Sequence, residues 1–179
     1  MLKKYLFIIT ILFSFSAFAQ ESQDIFEVAR SGNLDQVTVL FEQNPKIINA
    51  VNDRGYTPLT LACYRGNTEV AKFLISNGAD INYNNDMGTP LMAAIFKKNN
   101  EIAKFLIENK ANLNLSDGNR TTALIYAVNS KNYELVSALV KANVDVELQD
   151  GQKKSAIDYA LLLDDDKLIE LLKNKNKKL

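Results

Sequence analysis

The chain has 179 residues, 47% of them hydrophobic, with 21 basic and 21 acidic side chains, one cysteine and no histidine. That length and apolar share allow one compact core, while the charge balance excludes the clustered basic surface that nucleic-acid binding requires. Without histidine, neither a Ser-His nor a Cys-His nucleophile nor a usual zinc site can be assembled, and a single thiol forms no intramolecular disulfide.

The N-terminus has a chemistry of its own. Lys3 and Lys4 precede an almost wholly apolar run over residues 6–15, and Ala17-Phe18-Ala19 supplies the small residues of a cleavage point. This order predicts a secretory signal peptide over 1–19 and a mature chain from Gln20. The apolar run from Tyr5 to Ala19 is shorter than the about 20 residues of a membrane span, and no cysteine follows it for lipid attachment. The expected location is therefore outside the cytoplasm, periplasmic or extracellular, with no membrane association after cleavage.

From residue 57 one passage recurs. Thr57-Pro58-Leu59-Thr60-Leu61-Ala62 returns as Thr89-Pro90-Leu91-Met92-Ala93-Ala94, then as Thr122-Ala123-Leu124-Ile125-Tyr126-Ala127 and Ser155-Ala156-Ile157-Asp158-Tyr159-Ala160, at steps of 32, 33 and 33 residues. An aliphatic pair follows three of the copies at a fixed distance: Leu74-Ile75, Leu106-Ile107 and Leu139-Val140. A period near 33 marks stacked repeats, whose surfaces usually bind rather than catalyse.

Each repeat reads as two short helices. Thr57 is a good N-cap and Pro58 suits the first helical position; Leu59, Leu61 and Ala62 form an apolar face, and Gly66 ends the helix. Asn67 is placed to cap a second helix, in which Val70, Phe73 and Leu74 form a buried stripe. Asn33, Asn99, Asn132 and Asp165 stand at the same capping position. Gly78 follows the second helix, where positive φ is needed. Lys110 and Asn143 hold that position later in the chain, and lysine there costs about 1 kcal/mol. Asp53-Arg54-Gly55, Asp86-Met87-Gly88, Asp117-Gly118 and Asp150-Gly151 predict tight hairpin turns between repeats.

These residues resemble the ankyrin repeat family. The run TPLTLACYRGNTEVAKFLISNGADIN (57–82) is similar to an ankyrin unit nearly throughout, and TPLMAAIFKKNNEIAKFLIENKANLN (89–114) follows it with Lys98 in place of the mid-repeat glycine. Residues 25–40 resemble a first unit without its Thr-Pro start, and the last copy resembles a C-terminal cap. The resemblance covers residues 23 to about 173. It implies an all-α solenoid of about five helix-turn-helix repeats joined by short β-hairpin turns, at about 23–52, 53–85, 86–117, 118–150 and 151–179. It also implies a binding module without catalytic, cofactor or metal residues. The family's Thr-Pro-Leu-His bond network is absent, Thr60, Met92, Ile125 and Asp158 standing at the histidine position, so weaker coupling between repeats is expected.

Among candidate sites, Asp164-Asp165-Asp166 is the one acidic run, and its register makes Asp165 a helix cap rather than a metal ligand. Lys173, Lys175, Lys177 and Lys178 complement a helix C-terminus and keep the last repeat polar. Cys63 falls in a small-residue stretch and is expected to be a buried, inert thiol. In ankyrin-like stacks the turn tips and the end of the first helix line a concave face. By register that face holds Arg54, Tyr56, Tyr64, Arg65, Phe96, Lys97, Asn129 and Ser130. Tyrosine, phenylalanine and arginine dominate interface energetics, although Tyr64 and Phe96 also fit as packing between repeats. The expected function is a monomeric, exported scaffold that binds another protein. The alternatives are an inhibitor or immunity-type protein that blocks an exported enzyme and, less in keeping with a thin open stack, a small-molecule binder or enzyme.

Overall fold

The computed structural model describes residues 24–173, so the signal-peptide reading for 1–19 and the tail residues Lys175, Lys177 and Lys178 lie outside the described part. Ten α-helices follow one another there: α1 (Ile25–Ser31), α2 (Leu34–Gln43), α3 (Pro58–Arg65), α4 (Thr68–Ser76), α5 (Pro90–Phe96), α6 (Asn100–Glu108), α7 (Ala123–Asn129), α8 (Tyr133–Lys141), α9 (Ala156–Leu162) and α10 (Asp166–Lys173), with a 3-10 turn at Pro45–Asn49. They stack in two rows. The odd-numbered helices pack one on the next as an inner row, and the even-numbered helices form the outer row behind them. The expected all-α solenoid of five helix pairs is what the chain forms. None of the described helices is long and apolar enough to cross a membrane.

The four inner helices after α1 start on buried hydroxyls, whereas α1 starts on the exposed carboxylate of Asp24. Thr57, Thr89, Thr122 and Ser155 accept from the N–H groups of Thr60, Met92, Ile125 and Asp158, which satisfies a helix donor that has no carbonyl partner. Along the inner row Ala29, Ala62, Ala94, Ala127 and Ala160 form a fully buried column, and their small side chains let successive helices approach. Leu59, Leu91 and Leu124 meet Leu74, Leu106 and Leu139 of the outer row in one continuous core, each buried leucine stabilising by about 1.5–3 kcal/mol. On the outer surface, salt bridges run from Lys72 to Glu101 and from Lys104 to Glu134.

The second-helix caps need a partial correction. Asn33 caps α2 reciprocally with Gln36, and Asn132 and Asp165 accept from Leu135 N–H and Leu168 N–H. Asn67 and Asn99 make no cap bond. Their amides turn to the preceding repeat, Asn67 Nδ2 donating to the Gly32 carbonyl at 2.9 Å and Asn99 Nδ2 to the Cys63 carbonyl at 2.7 Å. These carbonyls lie at helix ends, where backbone acceptors lack helical partners.

Left-handed backbone falls where the register requires it: Gly78, Lys110 and Asn143 after the outer helices, and Gly66, Lys98, Lys131 and Asp164 after the inner ones. The turn register shifts by one residue in the last two repeats. There Asp117 and Asp150 occupy the position of Asn52 and Asn85, and positive φ falls on Arg120 and Lys153 rather than on Gly118 or Gly151. Those two glycines are needed for closeness, because a Cβ would sit 3.1 Å from the Asp86 carbonyl oxygen and 3.0 Å from that of Asn119. The turns are tight, but among the described residues pairing is limited to isolated bridges, Asn85 with Gly88 and Ser116 with Thr122.

The reduced coupling expected from the missing histidines is offset by asparagine. Asp80 N–H donates to Asn49 Oδ1 (2.7 Å), Asn112 N–H to Asn82 Oδ1 (2.7 Å) and Asp145 N–H to Asn114 Oδ1 (2.9 Å), one tie at each of the first three repeat steps. Along the turns, Asn85 Nδ2 donates to the Gly55 carbonyl at 2.6 Å, and Gly118 N–H and Gly151 N–H donate to the carbonyls of Asp86 and Asn119.

Candidate binding face on the inner helices

Gly66 stops α3 one residue after Arg65, so Tyr64 and Arg65 leave the helix end exposed. Two turn tips add to them: Asn52 Oδ1 accepts from Arg54 N–H and Tyr56 N–H, and Asn85 Oδ1 accepts from Met87 N–H. Phe96, at the end of α5, closes the other side, its ring edge-on to Tyr126 at 6.1 Å between centroids. Together they bound a hollow of about 460 Å³ over consecutive repeats. Leu61 and Met92, both buried, form its floor. Phe96 is 60% exposed and Met87 68%, so much of the apolar rim faces solvent even though the edge of Phe96 also meets Tyr126 of the next repeat. Lys97 Nζ lies 4.8 Å from the Tyr64 ring centre, an exposed cation–π contact worth about 0.5–1 kcal/mol.

Of the eight residues expected on this face, Arg54, Tyr56, Tyr64, Arg65 and Phe96 line the hollow and Lys97 reaches its edge through Tyr64. Asn129 lies apart, in a second hollow of about 600 Å³ bounded by Arg120, Gln152, Asp150 and Tyr159. Ser130 joins neither, because its hydroxyl donates back to the Tyr126 and Ala127 carbonyls. Arg30, Met87 and Tyr126 also line the first hollow. Both Met87 and Arg30 were accessible to register: Met87 stands one repeat beyond Arg54, and Arg30 lies three residues before the cap position Asn33, as Tyr64 and Phe96 lie three before Asn67 and Asn99.

The ionisable groups near both hollows serve the scaffold. Burial, then the bond and charge of Asp117, push the Tyr126 phenol up to about 12, its hydroxyl donating to Asp117 Oδ2 at 2.7 Å. Tyr159 and Asp150 repeat this pairing one step on. Burial alone would raise the Asp150 carboxyl, but the Tyr159 hydroxyl and the N–H groups of Lys154 and Gln152 hold it below its ordinary range. Asp165 is likewise committed, to the cap, to the Tyr133 hydroxyl at 2.8 Å and to Lys131 at 3.3 Å. Cys63 is fully buried, and burial pushes its thiol far above the usual thiol range.

Residues 25–117 match the family described as Ankyrin repeats (3 copies), and residues 106–160 match Ankyrin repeats (many copies). Among curated proteins, oxysterol-binding protein-related protein 1 of Homo sapiens is 35% identical over 77 residues, 38% of this chain and 8% of that protein. The serine/threonine-protein kinase TNNI3K of Mus musculus is 44% identical over 50 residues, 28% of this chain and 6% of the kinase. Protein phosphatase 1 regulatory subunit 27 of Homo sapiens is 39% identical over 64 residues, 36% of this chain and 41% of the subunit. In each case the similarity spans less than half of the relative's length. The matched repeats and the stacked helix pairs agree, and the chain belongs to the ankyrin repeat family.

Proposed function

We propose that this protein is an exported scaffold, periplasmic or extracellular, which binds another protein through the inner-helix hollow. Ankyrin repeats are protein–protein interaction modules, and the repeats occupy nearly all of the described chain. The observation that carries the assignment to this face is the solvent-exposed cluster of Tyr64, Phe96 and Met87 beside Arg54 and Arg65. Truncating one anchor of such a cluster commonly costs about 2 kcal/mol or more of binding energy. The export reading rests on the leader-like residues 1–19, and intact-mass measurement of native material tests it, a chain starting at or beside Gln20 being the expected result.

The docking test separates binding from folding. Partners captured under native conditions from the exported fraction are retested against two variants. Tyr64→Ala combined with Arg65→Ala weakens capture about tenfold or more and barely moves the unfolding midpoint, both side chains being exposed. Leu74→Ala, at a position 1% exposed, costs about 2–5 kcal/mol of stability through a core cavity. A double variant that folds and binds like the parent places the interface elsewhere.

A further inference from the structure

We infer that the occupant of the hollow is an acidic, extended segment of a partner protein that carries an apolar anchor; the inference rests on the docking reading above. The chain as a whole has equal numbers of acids and bases, yet these are not spread evenly. The three charged residues that line the hollow are Arg30, Arg54 and Arg65, and among the described residues no carboxylate lines it. Lys97 adds a fourth cation at the rim. On the outer surface Lys72 and Lys104 are each paired with a glutamate of the next repeat. Around the hollow only Arg30 has such a partner, its own neighbour Glu27. Arg54, Arg65 and Lys97 stand in no ion pair among the described residues. The nearest acids in sequence, Asp53 and Asp86, occupy the exposed turn tips without lining the hollow.

The lining gives the rest of the chemistry. Between the guanidinium groups the surface is apolar, formed by Tyr56, Leu61, Met92 and Phe96. Guanidinium forks suit carboxylates, which they bind in paired hydrogen bonds, and the apolar surface suits a Leu, Phe or Met side chain. Alternating acidic and apolar side chains satisfy both requirements in one segment. Nucleic acid fits less well, because its affinity comes from many phosphate contacts and only three cations here are free of an acidic partner.

Panning a random linear-peptide library against the folded full-length chain tests this. Enriched peptides should carry an excess of Asp and Glu around at least one large apolar residue. A representative peptide should lose about tenfold or more in affinity on Arg54→Ala combined with Arg65→Ala, and should weaken as salt rises from about 0.05 M to about 0.5 M. Coincident thermal unfolding of parent and double variant shows that the loss is one of binding. The proposal is overturned by neutral or basic enriched peptides, by no enrichment, by affinity that survives the double variant, or by a single-stranded oligonucleotide or phosphatidylserine vesicle that binds more tightly than the peptides. Peptides that lack acidic excess but are lost on Tyr64→Ala combined with Phe96→Ala sink the acidic segment and leave the docking face standing.

Discussion

Gly66 and Gly78 have similar backbones, at φ +77° and +89°, but different surroundings, and that difference has a measurable size. A Cβ on Gly78 meets nothing within 4 Å, whereas on Gly66 it would lie 2.8 Å from Asn99 Oδ1. Gly78→Ala therefore brings only left-handed strain, about 1 kcal/mol. Gly66→Ala brings the same strain and also displaces Asn99, whose amide donates to the Cys63 carbonyl at 2.7 Å. Losing a hydrogen bond between part-buried groups adds about 1–2 kcal/mol, so Gly66→Ala should cost about 2–3 kcal/mol in all. Urea unfolding measures both variants, and the Asn99→Ala background isolates the second contribution. With Asn99 already truncated, Gly66→Ala should fall back to the cost of Gly78→Ala. An equal cost of Gly66→Ala in both backgrounds would refute the tie between repeats.

Lys110 holds the Gly78 position at φ +65°, so Lys110→Gly should stabilise by a few tenths to about 1 kcal/mol in the same urea assay; a destabilised variant contradicts that strain. Cys63 is fully buried with its thiol held protonated by burial, and a disulfide-exchange reagent should label it only at the rate of unfolding, a result reversed by prompt labelling of the native chain. Burial and the bond to Asp117 push the Tyr126 phenol from the ordinary 10.0 up to about 12; its contribution to stability is complete below about pH 10 and lost as pH rises through about 12. Tyr126→Phe should flatten the alkaline decline of the melting temperature between those values, and an unchanged decline would remove Tyr126 as its source.

The fold was legible because its determinants are local and repeated. Thr57, Thr89, Thr122 and Ser155 announce a helix start at nearly even spacing, and the apolar stripes behind them repeat at the same interval. Lys110 and Asn143 could be placed in the left-handed region from the position of Gly78 alone. The hidden part depends on which neighbour a side chain chooses. Asn67, Asn99 and Asn132 occupy one register position, yet the first two reach back to the preceding repeat without capping, while Asn132 caps α8 and also donates to Asn100. Asp-Gly at 117–118 and 150–151 resembles the earlier Asp-x-Gly turns closely enough to hide a one-residue offset. Tyr126 and Tyr159 betray that offset, each bonding an Asp nine residues earlier, whereas Leu61 and Ala93 at the same position follow an Asn. Polar side chains on the inner face carry no periodic constraint. Register grouped Arg54, Tyr64 and Phe96, which line one hollow, with Asn129 and Ser130, of which the first lines another hollow and the second bonds back to its own helix.

The missing histidines show how the labour within a repeat is divided. Thr60 hydrogen-bonds the Thr57 hydroxyl at 2.9 Å, and Asp158 accepts from both the N–H and the hydroxyl of Ser155, so two of the four positions keep a polar link to the helix start. Met92 and Ile125 give it up for burial. What passes between repeats is carried instead by asparagine amides at the turn and by backbone-to-Asx bonds at the far edge. In a stack where each unit touches only its neighbours, stability and geometry are both set by such nearest-neighbour links. The hollow straddles the step between the second and third repeats, with Arg54 and Tyr64 on one side and Met87 and Phe96 on the other. The Asn85 bond to the Gly55 carbonyl joins the very turns that carry Arg54 and Met87. The face proposed to dock a partner is therefore held in shape by a polar bond outside the apolar core, and its spacing depends on contacts that contribute little to burying the leucines.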